Sequence, residues 1–218
     1  MRLQSAIFDM DGTLLDSMFV WKELGVRMLR RQGYDPDPNL YEQVKAMTMR
    51  ESAAYCKQQY NMPETVDEIC DMIVGEVESF YDTEVQLKPG VQKFLSILKM
   101  EGVWMYVATN TDKRLAEIAL KHTGILSYFK GVLTCGEVGI SKGESAEIFE
   151  RCMRRLQSNK KDTVIFEDSL HAIETAAKAG FRICGVYDPV SEEDQDEIKK
   201  LSEYYIRSYE EMFETNTL

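Results

Sequence analysis

The stretch Leu-Gln-Ser-Ala-Ile-Phe-Asp-Met-Asp-Gly-Thr, residues 3–13, decides the fold of this chain. Its first part, residues 3–9, is a short and mostly apolar run, which predicts a β-strand that ends in the carboxylate of Asp9. A second carboxylate, Asp11, follows two positions later, so both can converge on one metal ion and one substrate. Gly12 allows the backbone to turn sharply beside them. The segment therefore predicts a strand that delivers an acidic site, with an ordinary acidic turn as the alternative.

Apolar segments alternate with helical patterns along the rest of the chain. Strands are predicted at residues 103–109, 131–135, 163–167 and 181–187, and helices at residues 90–101, 112–123, 143–157 and 169–179. This alternation predicts an α/β fold, a Rossmann-like parallel sheet with helices on both faces. Such sheets hold their active site at the carboxyl ends of the strands, where the strand order reverses. The residues that directly follow each strand are therefore the candidates for a site.

One segment, residues 17–84, departs from the alternation. It contains no strand signal, and its apolar residues recur at steps of three and four, as in Met18 and Trp21. We therefore predict two domains. Residues 1–16 and 85–218 form the α/β core, and residues 17–84 form an inserted α-helical domain.

The acidity of the chain limits its partners. The formal net charge is −11 and the sequence pI is near 4.8, so the surface repels nucleic acid and anionic membranes, and we expect neither as a partner. No apolar run approaches the ~20 residues that a membrane span needs. A site for an anionic substrate has to be built locally, from a metal ion, a lysine and backbone amides.

The cysteines and the N-terminus indicate the compartment. There are five cysteines, none in a CxxC pair, and this odd number predicts free thiols in a reducing compartment. Asp9 and Asp11 interrupt the apolar stretch that a signal peptide needs. We therefore expect a cytoplasmic protein.

Two of the predicted strands are followed by residues suited to an anion. Thr109 and Asn110 come at the end of the second strand, where a hydroxyl, an amide and the N–H groups of the next helix can bind phosphate oxygens. Helix capping by Thr111 or Asp112 is the alternative there. Lys142 follows the third strand and would offset the charge of a carboxylate and a phosphate, with a solvated surface lysine as the alternative.

Two acidic residues, Glu167 and Asp168, follow the apolar part of the fourth strand. Carboxylates directly after an apolar strand are costly to bury unless they bind something. Asp168 would complete a carboxylate set for Mg²⁺, a hard cation that prefers oxygen ligands, and a helix N-cap is its alternative role. The joint arrangement carries more weight than any one residue, because an aspartate pair, a hydroxyl, a lysine and an acidic pair follow four successive strands.

In these motifs the sequence resembles the haloacid dehalogenase-like superfamily, in the branch with a helical cap inserted after the first motif. It is most similar to the β-phosphoglucomutase-like phosphatases. The motifs specific to this resemblance are Asp9-Met10-Asp11-Gly12-Thr13 and Phe166-Glu167-Asp168-Ser169. The resemblance covers nearly the whole chain, with residues 17–84 as the helical cap and a closing strand near Ile183.

This resemblance implies a magnesium-dependent phosphatase. Asp9 would attack phosphorus and become an aspartyl phosphate. Asp11 would protonate the leaving alkoxide and then deprotonate the attacking water. The side chains of Asp9 and Asp168 and the backbone carbonyl of Asp11 would bind Mg²⁺.

The resemblance also implies roles for the residues around the phosphoryl group. Glu167 would lie in the outer shell of the metal and orient its bound water. Thr109 and Asn110 would hold the phosphoryl oxygens, and Lys142 would neutralise charge. The partner implied by these roles is a small phosphorylated metabolite.

Asp11 and Trp21 discriminate between the activities of this superfamily. Dehalogenases and phosphonate-cleaving relatives lack an aspartate at the position of Asp11, so phosphoryl transfer is favoured. Sugar phosphomutases typically carry a cap histidine ten residues after that aspartate, where this chain has Trp21. The departure favours hydrolysis of a small phosphate monoester of the sugar or polyol phosphate type. A sugar phosphomutase and a non-catalytic phosphate-ligand binding protein are the alternatives.

The cap is expected to close over the core, with hinges near Leu14–Ser17 and Thr83–Lys88. Trp21 is a candidate substrate contact, and burial within the helical bundle is its alternative. Arg50 lies where related caps place an anion-binding arginine, and a solvent-exposed helix start is its alternative. The spacing of cap residues does not identify the substrate, and we expect a monomer.

Overall fold

The computed structural model describes residues 3–44, 47 and 49–214. Its strands, in chain order, are β1 (Ser5–Phe8), β2 (Leu15–Asp16), β3 (Gln86–Leu87), β4 (Trp104–Thr109), β5 (Val132–Thr134), β6 (Thr163–Glu167), β7 (Arg182–Val186) and β8 (Tyr204–Ile206). Six of them form one parallel sheet in the order β5-β4-β1-β6-β7-β8. The prediction of an α/β fold with a parallel sheet is confirmed.

Helices follow most of the strands. They are α1 (Met18–Arg31), α2 (Leu40–Val44), α3 (Met49–Gln59), α4 (Val66–Thr83), α5 (Val91–Met100), α6 (Lys113–His122), α7 (Cys135–Val138), α8 (Glu147–Arg155), α9 (Leu170–Lys178), α10 (Gln195–Leu201) and α11 (Glu211–Glu214). Of these, α5, α6, α8 and α9 fall within the four helical segments predicted for the core. The helices α7, α10 and α11 are additions to the predicted elements.

The strand order reverses at β1, which lies in the interior of the sheet. The chain runs from β1 outward through β4 to β5, then returns to the other side of β1 and continues through β6, β7 and β8. Ser5–Phe8 pairs in register with Trp104–Val107 on one side and with Thr163–Phe166 on the other. The carboxyl ends of β1, β4 and β6 therefore lie side by side, at the reversal point where α/β sheets place their sites.

Alternate residues of β1 face opposite layers of helices. Ile7 belongs to a buried cluster that includes Phe149 of α8 and Ile173 of α9. Phe8 instead packs edge-on against Phe94 of α5, with 6.4 Å between the ring centroids. Because strand side chains alternate between faces and both β1 residues are fully buried, the sheet is covered on both sides.

The helices α1 to α4 form a separate unit. The chain divides into two compact units, one comprising the residues up to 17 and from 85 onward, and the other comprising residues 18–84. In this second unit, called the helical unit below, Phe19 of α1 packs edge-on against Phe80 of α4 with 5.8 Å between the ring centroids. The described residues of the helical unit contain helices and their connections, in keeping with the periodicity of the sequence.

The two segments that lead into and out of the helical unit are paired with each other. β2 and β3 form an antiparallel pair, in which Leu15 lies opposite Leu87. The N–H of Lys88 donates to the carbonyl oxygen of Leu14 at 2.9 Å. The segments predicted as hinges therefore contain a short two-stranded ribbon, and their movement stays a prediction.

Two details of the sequence interpretation are wrong. The sheet does not close near Ile183, because β8 adds a further strand at its edge. That strand has three residues and two of them are half-exposed tyrosines, so no apolar run marks it. The helix predicted from residue 143 begins only at Glu147, since residues 139–146 form an irregular loop from which Lys142 reaches inward.

Two further expectations concern the thiols and the membrane. All five cysteines are free, as their number and spacing predict. Within the part of the chain that the structure describes, no helix combines the length and the apolar character needed to cross a bilayer.

Candidate active site

The ends of three neighbouring strands bring polar side chains together. Asp9 directly follows β1, and its N–H donates to the carbonyl oxygen of Phe166 in β6 at 2.9 Å. Glu167 is the last residue of β6, and Thr109 is the last residue of β4. All three polar residues are buried. The register of the parallel sheet thus places two carboxylates and a hydroxyl together at the carboxyl-terminal ends of β1, β6 and β4.

Lys142 supplies a positive charge to this group of side chains. Its ammonium contacts Oδ1 of Asp9 and donates to Oε2 of Glu167 at 2.8 Å. The lysine side chain is only 5% exposed. The alternative of a solvated surface lysine is therefore wrong. The loop between α7 and α8 brings a positive charge to Asp9, the nucleophile predicted from the sequence.

Asp168 faces the same cluster from the loop after β6. Its Oδ1 accepts a hydrogen bond from the hydroxyl of Thr13 at 2.8 Å, and both residues are buried. The N-cap of α9 is Ser169, so the alternative role of Asp168 as that N-cap is wrong. The carboxylate of Asp168 is instead directed toward those of Asp9 and Glu167.

Burial raises the pKa of two of these carboxyl groups, Asp9 and Asp168. Burial, and next the charge of Glu167, raise the pKa of Asp9 to about 7, against the opposing effect of Lys142. Burial also raises the pKa of Asp168 well above its ordinary value, with the charges of Glu167 and Asp9 adding to the effect. For Lys142, burial acts to lower the pKa, but the two carboxylates that it contacts outweigh burial and raise it.

The cluster fits a divalent cation. One carboxylate oxygen from each of Asp9, Glu167 and Asp168 lies within 4.8 Å of the others, and all three residues are buried. Among the described residues, Lys142 is the cation that forms salt bridges with this group, so ionisation of all three carboxylates would leave an excess of two negative charges. A bound Mg²⁺ would offset this excess, and carboxylate oxygens are among the ligands that it prefers.

Glu167 already uses both of its carboxylate oxygens. Oε1 accepts hydrogen bonds from the N–H groups of Asp168 at 3.2 Å and Ser169 at 3.1 Å, and Oε2 accepts one from Lys142. These bonds hold the loop after β6 and the lysine in place. Glu167 therefore fits an outer-shell role better than direct ligation of a metal.

Asp11 lies in a tight turn next to the cluster. Gly12 has a φ of 81°, in the left-handed region that favours glycine, and this conformation turns the chain directly after Asp11. Oδ1 of Asp11 accepts a hydrogen bond from Ser17 and Oδ2 accepts one from Thr111, each at 2.7 Å. Asp11 is half-exposed, so it lies at the boundary between the buried carboxylates and solvent.

Thr109 and Asn110 lie at the end of β4, beside β1. Thr109 is buried and its hydroxyl oxygen accepts a hydrogen bond from the N–H of Thr111 at 3.1 Å, whereas Asn110 is exposed. Asp112 supplies the N-cap of α6. Of the two residues weighed for helix capping, Asp112 serves that purpose and Thr111 does not.

Trp21 and Arg50, the two predicted cap contacts, belong to the helical unit. Trp21 lies on α1 and is half-buried. Arg50 lies in the first turn of α3 and pairs with Asp67, and the two side chains are 69% and 74% exposed. A pair this exposed contributes little stability. Their proposed contacts with a substrate stay predictions.

Three hydroxyl residues that sequence reasoning did not single out as site residues support the carboxylates. Thr13 binds Asp168, and Ser17 and Thr111 bind Asp11. Thr13 belongs to the motif that begins at Asp9, and Thr111 was considered for helix capping, but the sequence assigned none of the three a partner in the site. Their partners lie up to 155 residues away in the chain, so the pairing depends on the fold.

Comparisons with known proteins identify the family of this chain. A family model described as haloacid dehalogenase-like hydrolase matches residues 6–186. The phosphorylated carbohydrates phosphatase of Thermotoga maritima is 25% identical over 185 residues, which cover 84% of this chain and 85% of that protein. Hexitol phosphatase B of Escherichia coli K12 is 24% identical over 201 residues, which cover 88% of this chain and 87% of that protein.

The fold is also shared with solved structures. A crystal structure from Thermotoga maritima, provisionally described as a β-phosphoglucomutase, matches with a TM-score of 0.86. The match covers 99% of this chain and 100% of that one at 22% sequence identity. At that identity the likeness concerns the fold.

Proposed function

Because this chain belongs to the haloacid dehalogenase-like hydrolase family, we propose that it is a Mg²⁺-dependent phosphatase that hydrolyses small phosphate monoesters through an aspartyl phosphate on Asp9. The substrate class is a sugar or polyol phosphate, in line with the names of the two phosphatase relatives. In this proposal residues 1–16 and 85–218 form the α/β core domain, and residues 17–84 form the helical cap domain. The protein acts as a cytoplasmic monomer.

The observation that carries the proposal is the contact of Asp9 with Lys142 inside a buried carboxylate cluster. A buried carboxylate next to an ammonium is ready to approach an anionic phosphate, because the cation reduces the repulsion between the two anions. Placing Asp9 and its partners away from water has a free-energy cost that a purely structural role does not explain.

In the first step Asp9 attacks phosphorus, and Asp11 donates a proton to the leaving alkoxide. In the second step Asp11 takes a proton from water as the water oxygen attacks phosphorus. The bond between phosphorus and the Asp9 oxygen breaks, which releases inorganic phosphate and regenerates the Asp9 carboxylate. Ser17 and Thr111 hold Asp11 at the boundary with solvent, where it can exchange protons with the leaving group and with water.

The remaining residues of the site bind the phosphoryl group and neutralise its charge. Thr109 and Asn110 hold the phosphoryl oxygens at the end of β4, and Lys142 offsets the charge that builds up on them. Asp9, Asp168 and the backbone carbonyl of Asp11 would hold Mg²⁺. When bound, the metal supplies positive charge that stabilises the equatorial oxygens of the transferring group.

The test is a phosphate-release assay over a panel of sugar and polyol phosphates, with and without Mg²⁺. We expect release that requires Mg²⁺ and that Asp9→Asn abolishes, because an amide is a poor nucleophile toward phosphorus. The matched control is Asp196→Asn, which makes the same change at a side chain that is 92% exposed. This control is expected to keep full turnover.

Two results would contradict the proposal. Isomerisation of a sugar phosphate without net phosphate release would identify a phosphomutase. Binding of sugar phosphates in calorimetry, together with no turnover of any ester on the panel, would identify a non-catalytic binding protein.

A further inference from the structure

A surface loop of the α/β unit, the unit formed by the residues up to 17 and from 85 onward, carries one buried charged residue. In residues 139–146, between α7 and α8, every residue is exposed or half-exposed except Lys142. The lysine reaches inward from this loop to Asp9 and Glu167. Holding a long side chain in one conformation costs rotamer entropy, and a mobile backbone would add to this cost. A contact that fixes the backbone at Lys142 therefore helps to keep its ammonium in place.

Thr175 of α9 makes a contact that fixes this backbone. Its hydroxyl donates to the carbonyl oxygen of Lys142 at 2.5 Å. The same hydroxyl lies 2.9 Å from the carbonyl oxygen of Ala172 in the preceding turn of α9. A threonine hydroxyl has one proton, so these two carbonyl groups share it.

The loop also approaches α9 closely at the next residue. A Cβ added to Gly143 would lie 3.3 Å from the Cβ of His171, which is tighter than an ordinary contact. The helix α9 begins directly after Asp168 and its N-cap Ser169. One helix therefore holds both the carboxylate loop after β6 and the lysine loop before α8.

We infer that Thr175 is a positioning residue for the phosphatase reaction: its hydroxyl fixes the Lys142 backbone so that the ammonium stays between Asp9 and Glu167. The inference rests on the proposed function for its catalytic consequence. Without the hydroxyl, the loop loses its bond to α9 and the ammonium spends less time against the nucleophile. Attack on the phosphate then slows, because the charge of the two anions is less well neutralised.

The substitutions that test this are Thr175→Val, which keeps the shape and removes the hydroxyl, and Thr175→Ser, which restores the hydroxyl. Thr175→Ala is the second hydroxyl-free variant, and its high helix propensity favours folding. The matched control is Thr123→Val, because the Thr123 hydroxyl bonds only within its own helical turn, to Ala119 at 2.8 Å.

Two measurements are made on each variant: the kcat for phosphate release, and amide hydrogen exchange of peptides that cover residues 140–146. For Thr175→Val and Thr175→Ala we expect kcat to fall about tenfold, the factor that one net hydrogen bond supplies, and the loop to exchange faster. Thr175→Ser and Thr123→Val are expected to match the wild type in both measurements.

The outcomes separate this inference from the proposed function. A kcat of Thr175→Val equal to that of the wild type overturns the positioning role, whatever the loop exchange shows. A fall in kcat that Thr175→Ser fails to restore also overturns it. If the wild type has no phosphatase activity, the proposed function fails. In that case loop exchange alone decides whether Thr175 fixes the Lys142 backbone, and an unchanged rate refutes it.

Discussion

In the absence of metal, raising the pH is expected to destabilise this protein through Asp9. Burial raises the pKa of this carboxyl from 3.8 to about 7 in the folded state, with Glu167 adding and Lys142 opposing. Below about pH 4 the folded and unfolded states both hold the proton, and between about pH 4 and pH 7 the folded state holds more of it. Stability therefore falls across this range and levels off above it.

The size of the effect follows from the shift in pKa. A difference of about three pKa units corresponds to about 4 kcal/mol, which is the most that Asp9 can remove from the free energy of unfolding. Asp9→Asn removes the titration while keeping the shape. The variant should therefore become more stable than the wild type as the pH rises, by up to about 4 kcal/mol.

The assay is urea unfolding in the presence of a metal chelator, from about pH 4 to about pH 8, at a series of pH values that spans both pKa values. A Trp21→Phe background leaves Trp104 of β4 as the only tryptophan, so its fluorescence reports on the α/β unit. A difference between Asp9→Asn and the parent that stays constant over this range would refute the reasoning. Mg²⁺ at the highest pH should stabilise the parent more than the variant.

Two further predictions concern stability. Lys142→Met, measured by urea unfolding in chelator at neutral pH, should lower the free energy of unfolding by about 3–5 kcal/mol, because it leaves buried carboxylates without a cation. The control Lys199→Met, at an exposed salt bridge, should change this free energy by less than about 1 kcal/mol. Equal losses for the two variants would contradict this prediction. Tyr209→Phe should raise the free energy of unfolding by about 1 kcal/mol, because the Tyr209 hydroxyl is buried without a hydrogen-bond partner among the described residues. Tyr106→Phe, which removes a hydroxyl that accepts a bond from Arg155, should lower it, and a loss for both variants would refute the explanation.

Much of the α/β core could be read from local patterns. The strand at residues 103–109 and the helix at residues 112–123 have their counterparts in β4 and α6. An apolar strand or an amphipathic helix is marked by the spacing of neighbouring residues, so a few positions suffice to recognise it. The strand β8 escaped prediction because it is short and lies at the edge of the sheet, where half-exposed tyrosines blur the pattern.

Some residues of the candidate site could be identified from the sequence, whereas for others the partners could not be predicted. Asp9, Lys142 and Asp168 could be singled out because strand ends of a parallel sheet meet at one edge. Thr111 and Thr175 could not be assigned their partners, because a threonine after a strand or inside a helix has many local uses. The bond from Thr111 to Asp11 joins residues 100 positions apart, and only the packing of β4 beside β1 makes it possible.

The sequence by itself determined the α/β sheet and the acidic strand ends, because side-chain periodicity and the residues after each strand are local properties. It also determined the nature of the site, since aspartates, a lysine and hydroxyls are what a phosphoryl group and a hard cation require. The tertiary structure alone decided that Lys142 reaches inward from a surface loop and that burial raises the pKa of Asp9 to about 7. Both depend on the exclusion of water and on distances between segments far apart in the chain, and neither quantity exists until the chain has folded.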